Sequence, residues 1–353
     1  MMHKERVLAT LNHQKTDRVP FFYWGVPEFS EKMMKHFNFS DIDEMLNFLD
    51  VDFRCVEPDY IGPALRIENE PQKTDIWGVK YKLAGNGSLK YWDIDKCPLE
   101  GAREVSVLAD YNWPTTDLFD FSSLEKKVKK YQNFALMTAP GYSSPGLLRI
   151  IQRLVGKENF NDIVMFHPKF FAVLVEKVSG FYMKFIDEFF KITGNRVDFI
   201  RIADSFGTQS GVSISAEMWE DICKPVIMNY YEIPKKLGVK FYMHSCGSIR
   251  KLIPEFITVG AHVIDPVETC AAGMTPDGLK KDFGDLISFC GGLDEELLLR
   301  KATTAKVKKG VNELLKIMAP NGGFILGPAQ KLKVETPVEN VVAMYEAAKE
   351  WKY

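Results

Sequence analysis

Short apolar runs alternate along this chain with longer stretches whose apolar residues recur at helical spacing, and the alternation predicts strands and helices in turn. The runs fall at residues 19–24, 51–57, 134–139, 199–206, 240–246, 262–268, 286–292 and 323–328. Eight strands separated by helices predict an α/β fold, a parallel (β/α)8 TIM barrel. Helical spacing is clearest over 168–192 and over 216–237, where Ser215 is the N-cap and Glu217 and Glu220 lie in the first turn. Residues 249–259 and 295–318 continue the alternation. Residues 64–113 break it: rich in Gly, Pro, Asp and Lys, with strand-like pieces at 77–83 and 89–93, they predict a β-rich insertion between strands 2 and 3 that covers one end of the barrel. No repeat, low-complexity tract or linker interrupts the rest, so residues 1–353 read as a single domain.

In such a barrel the chemistry gathers at the C-terminal ends of the strands. The polar residues expected there are Trp24, Glu57, Asp204, His244 with Cys246, Asp265 with Glu268, Cys290 and Gln330. Side chains alternate across a strand, so His244 and Cys246 share one side and Ser245 takes the other. Imidazole and thiolate two residues apart are zinc donors, and Cys290, ending the seventh strand, is the expected third ligand, with Glu268 or Asp204 as oxygen alternatives. The competing reading is a packed cysteine beside a hydrogen-bonded core histidine. Asp204 is expected to act as metal ligand, acid–base group or substrate acceptor, or else to cap the loop at 207–211. Gly247 and Ser248 lead into a helix whose N-terminal amides face the same mouth and suit an anionic group. Phe21, Phe22, Tyr23, Trp24, Tyr60 and Tyr142 predict an aromatic mouth fit for a planar or methyl-bearing substrate, although several must be plain core.

Composition mainly excludes. The 353 residues carry a formal net charge of −2, without the basic excess of a nucleic-acid binder. Lys126, Lys127, Lys129 and Lys130 are interrupted by apolar residues and read as a solvated helix face. No apolar run is long enough to span a membrane, and the N-terminus lacks a signal-peptide core, so a cytoplasmic protein is expected. Six cysteines in so long a chain point to metal or catalytic roles rather than a disulfide framework.

The opening Glu5-Arg6-Val7-Leu8, Leu11-Asn12 and Asp17-Arg18-Val19-Pro20 resembles the N-terminus of the uroporphyrinogen decarboxylase superfamily. So do His244-Ser245-Cys246-Gly247-Ser248, Asp265-Pro266-Val267, Phe283-Gly284-Asp285 and Gly291-Gly292-Leu293-Asp294, and the tail from Gly322-Gly323-Phe324-Ile325 to Thr336-Pro337 and Glu339-Asn340. The resemblance runs nearly end to end and implies one barrel with two chemistries. True decarboxylases in it need no metal and bind substrate carboxylates through an arginine-rich first loop. Here that loop, Phe22-Tyr23-Trp24-Gly25-Val26-Pro27-Glu28, has no arginine, so no cationic cradle for a porphyrinogen is expected there. The His-x-Cys pair is similar instead to the corrinoid-dependent methyltransferases, in which it binds zinc with a cysteine near the last strand. At that place this chain has Gln330.

The resemblance therefore implies a methyltransferase using Zn2+ and a cobalamin or other corrinoid carried by a partner protein. The methyl group would come from a small methylated, methoxyaromatic substrate, in an O-demethylase type of reaction. Asp204, His244 and Cys246 are the expected catalytic residues. Substrate is assigned to Trp24, Glu57, Tyr60, Tyr142 and Gln330, and metal to His244, Cys246, Cys290 and Glu268. The alternatives are transfer from corrinoid to a thiol, uroporphyrinogen decarboxylation, and a non-catalytic barrel binding a tetrapyrrole or corrinoid. No nucleic-acid or membrane partner is expected, and a homodimer stands as the expected assembly.

Overall fold

A computed structural model of the chain describes residues 1–66, 70–85 and 91–352. Its strands are β1 (Phe53–Val56), β2 (Asp59–Tyr60), β3 (Gln72–Thr74), β4 (Lys80–Ala84), β5 (Tyr91–Lys96), β6 (Phe119–Asp120), β7 (Ala135–Thr138), β8 (Phe199–Ala203), β9 (Lys240–His244), β10 (Ala261–Val267), β11 (Ser288–Leu293) and β12 (Phe324–Pro328). Seven of them form one sheet in the order β1-β7-β8-β9-β10-β11-β12, every neighbour parallel. These are seven of the eight strands expected from the apolar runs.

The eighth run, residues 19–24, closes the barrel without becoming a regular strand. Phe22 N donates to Leu326 O on one side, and Asp52 N donates to Phe21 O on the other. The segment thus sits between β12 and β1, but its bridge to β12 is confined to Phe21 and Leu326. Two features of the sequence prevent a longer ladder. Pro20 has no N–H to give, and the N–H of Phe21 is taken by the Asp52 carboxylate at 2.7 Å. Asp52, fully buried, also receives Arg6 Nη1 at 2.5 Å, Arg18 Nη1 at 2.7 Å and His3 Nδ1 at 2.8 Å. One carboxylate therefore ties the N-terminal helix His3–Leu11 and the closing segment to the start of β1.

The insertion is β-rich as expected: β3, β4 and β5 form an antiparallel sheet, although Leu89 and Lys90 of the expected second piece lie outside the described residues. It is seated by Trp77, whose ring packs edge-on against Phe181, centroids 5.0 Å apart, in the long helix Pro168–Thr193. Inside the barrel, Phe22, Phe53, Phe199 and Tyr242 meet as a plug of rings with centroids 5.5–6.4 Å apart. Such a plug makes the barrel a packed core with one open end. That end carries the site.

Candidate active site

Strand β9 ends at His244, two residues before Cys246. Ser245 is buried on the opposite side, where its hydroxyl accepts from Phe206 N at 3.1 Å. The alternation thus persists past the strand and brings His244 Nε2 and Cys246 Sγ to 3.8 Å. The turn behind the pair is fixed by backbone approach. Gly247 has φ +82°, and a Cβ on it would lie 2.7 Å from Thr208 O. A Cβ on Gly207 would collide with Cys246 O. Only glycine at both places lets the loops after β8 and β9 touch.

The imidazole is oriented from below. His244 Nδ1 lies 2.5 Å from Asp265 Oδ2, on the adjacent strand β10 and directly opposite in register. Asp265 is itself buried, with Arg201 Nη2 3.6 Å away. Burial first, and then the Arg201 charge, lower the His244 pKa to about 4 against the pull of Asp265. The ring is therefore neutral at ordinary pH. With its Nδ1–H donated to Asp265, the Nε2 lone pair faces the thiol. Burial, reinforced by the Glu268 and Asp265 charges, pushes the Cys246 thiol up to about 12.

The donor pair suits zinc. Ligands at about 2.0 and 2.3 Å from a tetrahedral ion lie about 3.5 Å apart, close to the separation seen here. A histidine braced through its other nitrogen by a carboxylate is how zinc-binding imidazoles are commonly held. Glu268 lies against the Cys246 thiol. Its Oε2 accepts from Gln209 Nε2 at 3.0 Å and Gln330 Nε2 at 3.3 Å. Among the described residues no three His, Cys, Asp or Glu side chains are gathered as a metal cluster. The arrangement is a two-donor pair with a carboxylate beside the thiol.

Two expected ligands lie elsewhere. The strand carrying Cys290 extends to Leu293, so Cys290 is mid-strand, fully buried between Tyr242 and Asp265, and lines no part of the cavity above. Asp204 caps, but not the loop at 207–211. Its carboxylate accepts from Leu147 N, Leu148 N and Arg149 N at 2.7–2.9 Å, at the start of the helix Leu148–Val155, and from Ser205 N at 3.0 Å. Four N–H donors occupy it, as a buried helix N-terminus demands.

A cavity of about 790 Å³ opens over the pair, with Trp24, Gln209, Glu268 and Gln330 in its wall. Trp24 stands edge-on to His244, centroids 4.9 Å apart. The other aromatics divide. Phe22 belongs to the plug, Phe21 packs on Tyr345, and Tyr23 bonds Ser30 at 2.7 Å. Tyr60 packs on Phe119 and Tyr142, and its hydroxyl donates to Pro63 O. Tyr142 lines an adjoining cavity under the inserted sheet. Glu57, beyond the end of β1, is outside the main cavity's wall, and burial raises its pKa.

The residues that sequence reasoning missed are the cations. The first loop has no arginine, yet Arg149, Arg153, Lys157, Arg201 and Lys331 all line the main cavity. A cationic wall is therefore present, supplied by other elements. Arg149 and Arg153 are four apart on the helix Leu148–Val155, a spacing that shares one face and was legible. Arg201 was hidden inside an apolar strand.

The model for uroporphyrinogen decarboxylase (URO-D) matches residues 149–351. The chain belongs to this family. The URO-D match spans β8 to β12 and includes Arg149, Arg201, His244, Cys246, Asp265, Glu268 and Gln330. No curated protein matches the chain. Among solved structures, a methyltransferase from Methanosarcina mazei superposes with a TM-score of 0.69 at 15% identity, over 99% of each chain, and so shares the fold. A sugar phosphate isomerase/epimerase from Parabacteroides distasonis covers 95% of this chain and 97% of its own at 11% identity, with a TM-score of 0.44. No helix among the described residues is long and apolar enough to cross a membrane.

Proposed function

We propose that this URO-D family member is a methyltransferase that passes a methyl group from a small methylated substrate to a corrinoid protein. The observation that carries the reading is the pair itself: a neutral imidazole braced by Asp265, its free Nε2 3.8 Å from a thiol, at the base of an open cavity. Decarboxylation of a porphyrinogen has no use for two soft donors arranged this way. The end-to-end likeness to a methyltransferase fold supports the same reading.

In the proposed reaction the C–O bond of a methyl ether breaks as its carbon passes to cobalt(I) of the corrinoid. The electron pair stays on oxygen, which leaves badly unless its charge is stabilised. A zinc ion held by His244 Nε2 and Cys246 Sγ, with Glu268 beside them, would supply Lewis-acid stabilisation of that charge. The chain's own residues do the rest. Asp265 fixes the tautomer of His244. Gln209 and Gln330 hold Glu268 in place. Trp24 gives the substrate an apolar wall next to the histidine.

The cationic wall favours a second reading, decarboxylation of a polycarboxylate such as uroporphyrinogen. One experiment separates the two. Protein incubated anaerobically with a cobalt(I) corrinoid and a methoxyarene is expected to give methylcobalt and the phenol in equal amounts, and to leave uroporphyrinogen untouched. Release of CO2 from uroporphyrinogen without methylcobalt formation would reverse the assignment.

A further inference from the structure

The main cavity meets a second one of about 430 Å³ beneath the inserted sheet, and both are lined by Gly141, Arg149, Arg153 and Lys331. The outer cavity is roofed by Thr74 of β3, Tyr81 of β4 and Trp92 of β5. At the seam three cations converge, with Lys157 at the rim of the main cavity. Among the described residues none of these four makes an ion pair. Among the described residues the Arg149 guanidinium makes only long contacts to backbone, Ala203 O at 3.5 Å and Ser144 O at 3.4 Å.

Of the nearby carboxylates, Glu57 lies beside Gly141 and burial raises its pKa, and the others are hydrogen-bonded. Glu268 holds the two glutamine amides, Asp265 holds His244, and Asp204 holds the helix start. In the outer cavity Asp75 accepts from Trp77 N, Val79 N and Tyr81 OH. A second feature lies deeper. Arg201, only 3% exposed, lines the main cavity with its Nε buried and without a hydrogen-bond partner among the described residues. Burial, and then repulsion from Arg201, Arg153 and Arg149, lower the pKa of Lys331. Among the described residues Asp75, which interacts with Arg153, is the one carboxylate in the outer cavity's wall, and like charges brought together in excess are costly unless something anionic joins them.

Building on the methyl-transfer reading, we infer that this seam is a carboxylate subsite and that the methyl donor is a methylated aromatic acid. Its carboxylate lies between Arg149, Arg153 and Lys331, under the inserted sheet. Its ring runs past Trp24 and turns the methyl-bearing oxygen toward His244 and Cys246. Guanidinium groups match a planar carboxylate with paired N–H donors, which a neutral isostere does not reproduce. The insertion is then part of the substrate site.

Binding, measured without turnover, tests this. The full chain is titrated calorimetrically with 3-methoxybenzoate and with its neutral isostere 3-methoxybenzamide. The acid is expected to bind about tenfold or more tightly than the amide, with an affinity that falls as salt is added. In Arg153→Gln and Lys331→Gln, chosen because neither side chain is hydrogen-bonded to the backbone, the acid-to-amide ratio is expected to drop toward one. Equal binding of acid and amide, no binding of the acid, or a ratio unchanged in both variants would overturn the subsite. So would displacement of the acid by uroporphyrin at far lower concentration, which would assign the cations to a macrocycle. If the acid binds as expected but no methylcobalt forms, the subsite stands and the methyl-transfer reading fails.

Discussion

His244 and Asp265 face each other across neighbouring strands, Nδ1 to Oδ2 at 2.5 Å, and this contact decides which ring nitrogen is free to act. Asp265→Asn keeps the shape but offers an amide N–H, which favours the tautomer with the proton on Nε2. Zinc affinity, read by competition with a chromophoric chelator, is expected to fall roughly 10–100-fold. The far-ultraviolet spectrum should be unchanged. An unaltered affinity would mean that Asp265 does not orient the ring.

Asp204→Ala separates a cap from a catalytic carboxylate. Three N–H groups at the start of Leu148–Val155 lose their acceptor, an expected cost of roughly 2–3 kcal/mol in chemical denaturation. Zinc binding at a temperature where the variant is folded should match wild type. Full stability with lost metal would contradict the capping role.

Gly247→Ala is expected to disrupt the pair although it alters no donor. At φ +82° an L side chain is strained, and its Cβ would press on Thr208 O. The loop must shift, taking Cys246 with it. A zinc titration that cannot distinguish this variant from wild type would show that the turn does not set the pair.

Acid sensitivity should trace to Asp52. Burial pushes its carboxyl up, but His3, Arg18 and Arg6 outweigh that and hold it below the usual carboxylate value. A folded-state pKa that is depressed contributes stability above the unfolded value of about 3.9, and that contribution is lost as pH falls through the lower folded value. Wild-type Tm is therefore expected to drop steeply below about pH 4. Asp52→Asn should cost roughly 3–5 kcal/mol near neutrality, because Arg6 and Arg18 lose their buried counter-ion, and should show a flatter acid limb. Parallel Tm–pH curves for the two proteins would rule the network out as the cause.

Much of this was readable from residue order, for a physical reason. Strands buried on both faces are continuous apolar runs, so the seven sheet strands could be found, and the period-two alternation put His244 and Cys246 on one side. What failed depended on partners distant in sequence. Nothing near residue 20 announces that Asp52 will take the N–H of Phe21. Cys290 was expected to end its strand although the apolar run itself reaches residue 292, and the strand continues to Leu293. Asp204 was legible as a strand-end carboxylate, but its helix begins 56 residues earlier in the chain. The cationic wall is not legible in the first loop alone, because the barrel assembles its mouth from many.

The central claim is that His244 and Cys246 form one metal-holding, methyl-transferring unit. It is tested most directly by following methylcobalt absorbance after anaerobic mixing of zinc-loaded protein, a cobalt(I) corrinoid and 3-methoxybenzoate, in wild type, His244→Ala and Cys246→Ser. Wild type is expected to form methylcobalt with one bound zinc per chain, and each variant to lose both the zinc and at least about a hundredfold in rate, at unchanged Tm. Methylcobalt formation at the wild-type rate in Cys246→Ser, or by wild-type protein that binds no zinc, would contradict it.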